Sequence, residues 1–455
     1  MPAPTSTRTQ TGADTMPEPT WVEHAVWWHV FPLGFLGAEK ERLGAVADVQ
    51  HRLPRLEGWL DYLVGLGASG LLLGPVFESS THGYDTVDHL AIDRRLGDAS
   101  DFDSLVGAAH ERGVRVLLDG VFNHVGRDFG QFQEALRDGA ESRAAQWFHL
   151  FWTGADEPDY EHFEGHRSLV TLNHSSPAVV DHVVEVMCHW LDRGADGWRL
   201  DAAYAVPASF WAAVLPRVRE RHPDAYLVGE VLHGDYADYV AAAGLDSVTQ
   251  YELWKSIWSS LNDRNFHELA WTLSRHDALL DTFVPLTFVG NHDVTRIASR
   301  LTDPEHLAHA LVVLLTVAGT PCVYYGDEQG FHGVKEDRVG GDDAVRPAFP
   351  ADAAELSALG APVLDLHRRL IALRRRHPWL HAARTTVEHV TNDAVVYVSR
   401  LGDDALTVVL NVADSPCTVT VPGAAHVLEG AAALAGDGGA ATATVTAHGW
   451  AVLGA

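Results

Sequence analysis

Three carboxylates stand at the ends of three short apolar runs, each with a polar escort. Asp201 closes Asp196-Gly197-Trp198-Arg199-Leu200-Asp201, Glu230 closes Tyr226-Leu227-Val228-Gly229-Glu230, and Asp293 closes Phe288-Val289-Gly290-Asn291-His292-Asp293. A fourth run, Leu118-Asp119-Gly120-Val121-Phe122-Asn123-His124, ends on Asn and His. Acids just past apolar strands suit glycoside hydrolysis, in which one carboxyl protonates the leaving oxygen and another attacks or activates water. Asp201 and Glu230 are 29 positions apart, about one βα unit. Neighbouring strand ends would then bring them within the roughly 5–5.5 Å of a retaining glycosidase. Arg199 precedes Asp201 by two residues, so both share one strand face and Arg199 can hold Asp201 ionised. The competing reading of that pair is a salt bridge inside a barrel. Leu227, Val228 and Gly229 predict a partly apolar setting for Glu230, which favours a protonated acid. His124 and His292 each follow an Asn and can donate to sugar hydroxyls. Zinc is disfavoured there, because neither an H-x-x-x-H pair nor a Cys/His cluster accompanies them. The sequence has neither a G-x-S-x-G elbow nor a Walker A loop, and no G-x-G-x-x-G turn that follows a strand and opens a helix.

Such acids need strands to carry them. Candidates are Val26–Pro32, Gly70–Val76, Val114–Val121, Gly197–Asp201, Tyr226–Val231, Ser247–Tyr251, Leu286–Gly290 and Cys322–Tyr325. Helical stretches fall between them: Leu53–Leu66, Asp101–Arg112, Ala178–Arg193, Pro207–Arg221, Phe266–Leu280, His306–Ala318 and Pro362–His377. Near-continuous apolar strands alternating with amphipathic helices predict an α/β fold, a (β/α)8 TIM barrel. The expected organisation is a disordered tail over 1–20, the barrel over 21–124 and 178–380, an inserted subdomain over 125–177, and a C-terminal antiparallel β-sandwich domain over 381–455. The insert holds Phe129, Phe132, Trp147, Phe148, Phe151, Trp152, Tyr160 and Phe163, read mainly as a small core and otherwise as a sugar-stacking surface. The Ala/Gly-rich 430–444 is a weakly determined piece of the last domain.

Composition narrows the class. The chain has 455 residues and a net charge of −28, which opposes binding to nucleic acid or to an anionic membrane. No apolar stretch approaches the roughly 18 residues of a membrane span, and the N-terminus lacks the apolar region of a secretory signal. Cys188, Cys322 and Cys417 read as buried reduced thiols, which places the protein in the cytoplasm.

These blocks, in this order, resemble the α-amylase superfamily of glycoside hydrolases, family 13, from about Trp21 to the C-terminus. The resemblance implies Asp201 as nucleophile, Glu230 as general acid/base and Asp293 as transition-state stabiliser. It places Arg199, His124 and His292 around the reacting sugar. It makes Tyr84, in His82-Gly83-Tyr84-Asp85, a stacking ring, and Asp342 with Arg346 an anchor for the same sugar. Leu172-Asn173, Gly229-Glu230-Val231-Leu232-His233 and Tyr325-Gly326-Asp327-Glu328 are most similar to the cyclomaltodextrinase, neopullulanase and maltogenic amylase group. That group carries an N-terminal β-sandwich that builds its dimer, whereas about 25 residues precede the first strand here. Hydrolases of cyclic maltosyl-maltose resemble the group without the sandwich. A homodimer therefore stays an open alternative. Many α-amylases hold calcium near the position of Asn123. The matching position in the insert is Thr171, so no metal or other cofactor is expected.

The expected activity is retaining hydrolysis of α-1,4 glucosidic bonds, with α-1,6 as its extension, in short or cyclic malto-oligosaccharides. One rival is an α-glucan transglycosylase using the same acids, with Tyr204, His233 and Trp254 on its acceptor side. A more remote rival is an amylase-like binding protein that has lost catalysis. Such proteins lose carboxylates and gain a membrane span, whereas this sequence keeps all three acids.

Overall fold

Each apolar run closes into one layer of a cylinder. The computed structural model describes residues 18–454 apart from 43, 45–47, 155–156, 339 and 437–440. Residues 1–17 of the expected tail therefore lie outside the described residues, as do 437–440 of the Ala/Gly-rich stretch. Eight parallel strands form the barrel: β1 Trp27–Val30, β2 Gly70–Leu73, β3 Arg115–Gly120, β4 Gly197–Leu200, β5 Tyr226–Gly229, β6 Ser247–Val248, β7 Leu286–Phe288 and β8 Thr320–Tyr324. Strands β1 to β6 pair in sequence order, β7 pairs with β8, and β8 returns to β1. Between β6 and β7 the cylinder is closed by a single bridge, Thr249 to Leu286. Trp28, Trp198 and Trp211 are fully buried around this wall. Each large apolar side chain so buried contributes roughly 1.5–3 kcal/mol.

Register sets the chemistry. Arg199 lies opposite Asp119 on β3 and opposite Val228 on β5. The next residues on β4 and β5 bring Asp201 and Glu230 side by side at one rim. Gly197 permits this approach, because a Cβ there would meet the Tyr226 carbonyl oxygen at 2.1 Å.

Local chemistry corrected several boundaries. The expected helix Leu53–Leu66 is two helices, Leu53–Glu57 and Leu60–Leu66. The sixth strand stops at Val248, not Tyr251. Gln250 turns its side-chain oxygen to the Glu252 and Leu253 amides and so starts the helix Tyr251–Asn262. That cap makes Tyr251 a helical residue at the cavity floor. In the insert, Phe129, Phe132, Phe148 and Tyr160 form a buried core, while Phe151 and Trp152 are exposed.

After the helix Ala361–Arg376 come two antiparallel sheets. The larger orders Arg384–Val390, Ala394–Leu401, Asp404–Asn411, Trp450–Gly454 and His426–Gly430. The smaller orders Cys417–Thr420, Thr442–Val445 and Ala433–Ala435. Val396, Val409, Val419, Val445 and Leu453 fill the space between them, while Tyr397 and Val408 belong to the core shared with the barrel. Cys188 and Cys322 are buried free thiols as expected, whereas Cys417 is only half-buried on its edge strand. No described helix is long and apolar enough to cross a membrane.

Candidate active site

A cavity of about 430 Å³ opens at the rim, lined by Tyr84, His124, Phe163, Asp201, Tyr204, Glu230, Tyr251, Asp293 and Lys335 among others. Asp201 and Glu230 are each 6% exposed at its base. Arg199 lies beneath them. Its Nη2 is 2.7 Å from Glu230 Oε1 and its Nη1 is 3.5 Å from Asp201 Oδ1. The shortest contact of Nη1, 2.6 Å, goes to Asp119.

Arg199 reaches Asp201 as the spacing suggested, but its short contacts go to Asp119 and Glu230. Glu230 is not in an apolar setting. Besides Arg199, it accepts from Tyr251 Oη at 3.0 Å and from the Ala202 amide at 3.0 Å. Ala202 reaches it from a left-handed backbone, φ 45°, a conformation that is uncommon for a non-glycine residue and collects at functional sites. One guanidinium among three buried carboxylates leaves excess negative charge. Burial and the adjacent Glu230 push the Asp201 carboxyl well above the usual carboxylate range.

Asp293 sits on the other side, after β7. Burial raises its carboxyl, but His292, Arg346 and Lys335 outweigh that and hold it well below the usual range. The contacts are 2.9 Å from His292 Nε2, 2.7 Å from Arg346 Nη2 and 3.9 Å from Lys335 Nζ. Arg346 Nη2 also lies 3.3 Å from Asp342 Oδ2, and Lys335 Nζ 3.3 Å from Asp342 Oδ1. Tyr84 donates to Asp119 at 3.0 Å, hydrogen-bonds His292 Nε2, and stacks on the His292 ring with centroids 5.3 Å apart. His124 stacks on Phe163 at 4.7 Å, and burial lowers its imidazole to about 3, so it faces the cavity neutral. Its Nε2 is buried without a protein partner. That suits a polar ligand group.

Nine of the eleven residues singled out from sequence therefore surround one cavity or its immediate support: Asp201, Glu230, Asp293, Tyr84, His124, Tyr204, Arg199, His292 and Arg346. Asp342 stands behind Arg346, and Tyr204 lines the mouth, donating to Glu164 at 2.6 Å. His233 does not line this cavity. With Trp254 it lines a second one of about 500 Å³, which shares Leu232 and Tyr251 with the first. Sequence reasoning missed Asp119, Tyr251 and Asn291 as site residues. Asn291 Nδ2 donates to Tyr251 Oη at 2.9 Å, and Asn291 Oδ1 accepts from the Asp293 amide at 2.8 Å, tying the Glu230 side to the Asp293 side. Asp119 was visible as an acid at the end of β3; Tyr251 was hidden by the misread strand.

The calcium position does not fit the ion. Asn123 turns its amide to His124 Nδ1 at 3.0 Å, and its carbonyl accepts from the Leu172 amide. Thr171 pairs with His124 in a short ladder and brings no carboxylate.

An eight-stranded barrel with acids at one rim is the architecture of a glycoside hydrolase. The chain belongs to the alpha-amylase catalytic-domain family, whose model matches residues 30–354. It is 30% identical over 442 residues to a cyclomaltodextrinase of Geobacillus thermopakistaniensis, covering 90% of this chain and 72% of that protein. Its fold is similar to a debranching enzyme of Nostoc punctiforme, with TM-score 0.83, 26% identity, and coverage of 97% of this chain and 100% of that one. It is likewise similar to the cyclic alpha-maltosyl-(1→6)-maltose hydrolase of Arthrobacter globiformis, with TM-score 0.81, 26% identity, and coverage of 97% and 100%.

Proposed function

We propose that this protein is a retaining α-glucan hydrolase acting on short or cyclic malto-oligosaccharides, at α-1,4 and α-1,6 bonds. The observation that carries the reading is the placement of Asp201 and Glu230 on adjacent strand ends above one guanidinium. In the reacting form Glu230 carries a proton beside the glycosidic oxygen. Glu230 gives that proton to the leaving oxygen as the C–O bond breaks, and an Asp201 oxygen bonds the anomeric carbon. Water then attacks the same carbon, its proton returns to Glu230, and Asp201 is released. Asp293, kept anionic by His292, Arg346 and Lys335, accepts sugar hydroxyls and opposes positive charge on the ring. Relatives named for cyclic dextrins and for cyclic maltosyl-maltose support a small or cyclic substrate. The unpaired thiols support action in the reducing cytoplasm.

A second reading, transfer of the glycosyl group to a sugar, is favoured by the adjoining cavity at His233 and Trp254. The test is a chromatographic time course on maltotriose, maltoheptaose, β-cyclodextrin, pullulan, starch and cyclic maltosyl-maltose. Products of α configuration from a small or cyclic substrate, lost by about 10²–10⁴-fold in Glu230→Gln, are the expected result. Near-wild-type turnover in Asp201→Asn or Glu230→Gln would sink the proposal, and products longer than the starting sugar would favour transfer.

A further inference from the structure

Outside the lining of the cavity, three donor atoms converge where the barrel meets the C-terminal domain. Asp303 caps the short turn Pro304–His306, and His306 is buried at its end. His448 comes from the turn just before the strand Trp450–Gly454. His306 Nε2 and His448 Nδ1 are 3.0 Å apart, and Asp303 Oδ2 lies 3.9 Å and 3.8 Å from them. A point equidistant from the three atoms falls about 2.1 Å from each, the length of a zinc bond to imidazole or carboxylate.

The surroundings point the same way. Asp414 Oδ1 sits 3.0 Å from His448 Nε2, and Arg264 holds both oxygens of Asp414 at 3.1 Å. A carboxylate on Nε2 keeps the proton there and leaves Nδ1 as a bare lone pair facing His306 and Asp303. This is how metal-binding imidazoles are oriented by their outer partners. His448 adopts a left-handed backbone, φ 50°, that is uncommon outside glycine. Next to the cluster, His309 Nε2 donates to the Asn411 and Gly449 carbonyls at 3.1 Å each, fixing the same turn against the barrel.

We propose that Asp303, His306 and His448 bind one divalent ion of the zinc class, with water as the fourth ligand, and that the ion clamps the C-terminal domain to the barrel. Two imidazoles and a carboxylate suit zinc and its transition-metal neighbours, not calcium or magnesium, which take oxygen ligands. The histidines are 142 positions apart, so no short-spacing motif could announce the site.

The test uses the full chain without a histidine tag. After loading with Zn²⁺ and removal of free metal, elemental analysis should find about one zinc per chain, and bound Zn²⁺ should raise Tm. Loading with Co²⁺ should give the strong visible band of a tetrahedral complex. His448→Asn keeps a residue that tolerates the turn, and with an unchanged circular dichroism spectrum it should bind at least about 10-fold more weakly. Calcium should leave Tm unmoved. Zinc well below one per folded chain, a cobalt spectrum of six-coordinate type only, or equal zinc affinity in His448→Asn would each overturn the proposal.

Discussion

Asp119 grips Arg199 with both carboxylate oxygens at 2.6 Å, deeper in the barrel than either proposed catalytic acid. The guanidinium cannot swing toward the cavity while that grip holds. It therefore meets Glu230 and Asp201 at fixed separations, and Tyr84 is fastened to the same carboxylate.

Asp119→Asn should lower kcat by about 10²-fold with a smaller change in KM, because catalytic groups displaced by even about 1 Å lose that much. Asp119→Ala should also lower stability by roughly 3–5 kcal/mol, since it leaves a buried cation without its partner. Steady-state kinetics and denaturant unfolding of the two variants separate these effects.

Ala202 offers a test of backbone strain. Glycine accepts a left-handed φ freely, so Ala202→Gly should keep activity and raise stability by up to about 1 kcal/mol. Ala202→Val should lower both, because a β-branched residue resists that conformation and the amide would leave Glu230. Tm and kcat on one oligosaccharide decide it.

Trp271 is 61% exposed at the edge of the second cavity, with the Arg275 guanidinium 5.0 Å above its ring. On the proposed mechanism Glu230 serves the leaving group, and Tyr251 joins that carboxylate to the second cavity. Trp271→Ala should therefore raise KM for maltoheptaose by about 5- to 10-fold, the worth of roughly 1–1.5 kcal/mol of ring stacking. Maltotriose should be little affected. Equal effects on both sugars would remove the ring from the substrate path.

Stability should fall in mild acid. Burial lowers His89, His276 and His367 to about 4 and His124 and His182 to about 3. Between pH 6.5 and about 4 the unfolded chain binds protons that these five histidines refuse, so stability drops as pH falls, by about 1.4 kcal/mol per pH unit for each. Burial acts oppositely on Asp246 and Asp327, raised to about 6, and on Glu328, raised to about 7; these three favour the folded state at lower pH. His309, lowered to about 4, and His29, lowered well below its usual range, act with the five, while Asp119 and Asp201 act with the three, so seven outweigh five and Tm should decline from pH 6.5 to pH 4.5. A flat or rising Tm over that window would contradict the assignment. Glu328→Gln should steepen the decline by removing one opposing group.

The barrel was legible because its strands are apolar runs with acids at one end, a pattern that only a sheet covered on both faces explains. Asp201, Glu230 and Asp293 were legible for the same reason. What sequence hid was side-chain partnership. Arg199 was assigned to Asp201 by its i+2 spacing, yet its register neighbour across the ladder, Asp119, takes the short contact. Tyr251 looked like the end of a strand, because nothing in an apolar run announces that Gln250 will cap a helix. His306 and His448 belong to different domains and meet only when the chain is folded.

The single bridge between β6 and β7 divides the cavity mechanically. Asp119, Arg199, Asp201 and Glu230 stand on or just beyond strands joined by four-residue ladders, β3 to β4 and β4 to β5. Tyr251 follows the two-residue β6, and Asn291, His292 and Asp293 follow β7; between those strands the backbones meet at the Thr249–Leu286 bridge, where the Gln250 amide donates to the Leu286 carbonyl, and Asn291 ties on to Tyr251 above it. Breathing of the cylinder should begin at that seam, with the Gln250 amide, which donates across it to Leu286, exchanging first among those of the barrel wall. On the proposed mechanism the half that breaks the bond should then be the stiffer one, and the half that grips the sugar the one that yields to rings of different size.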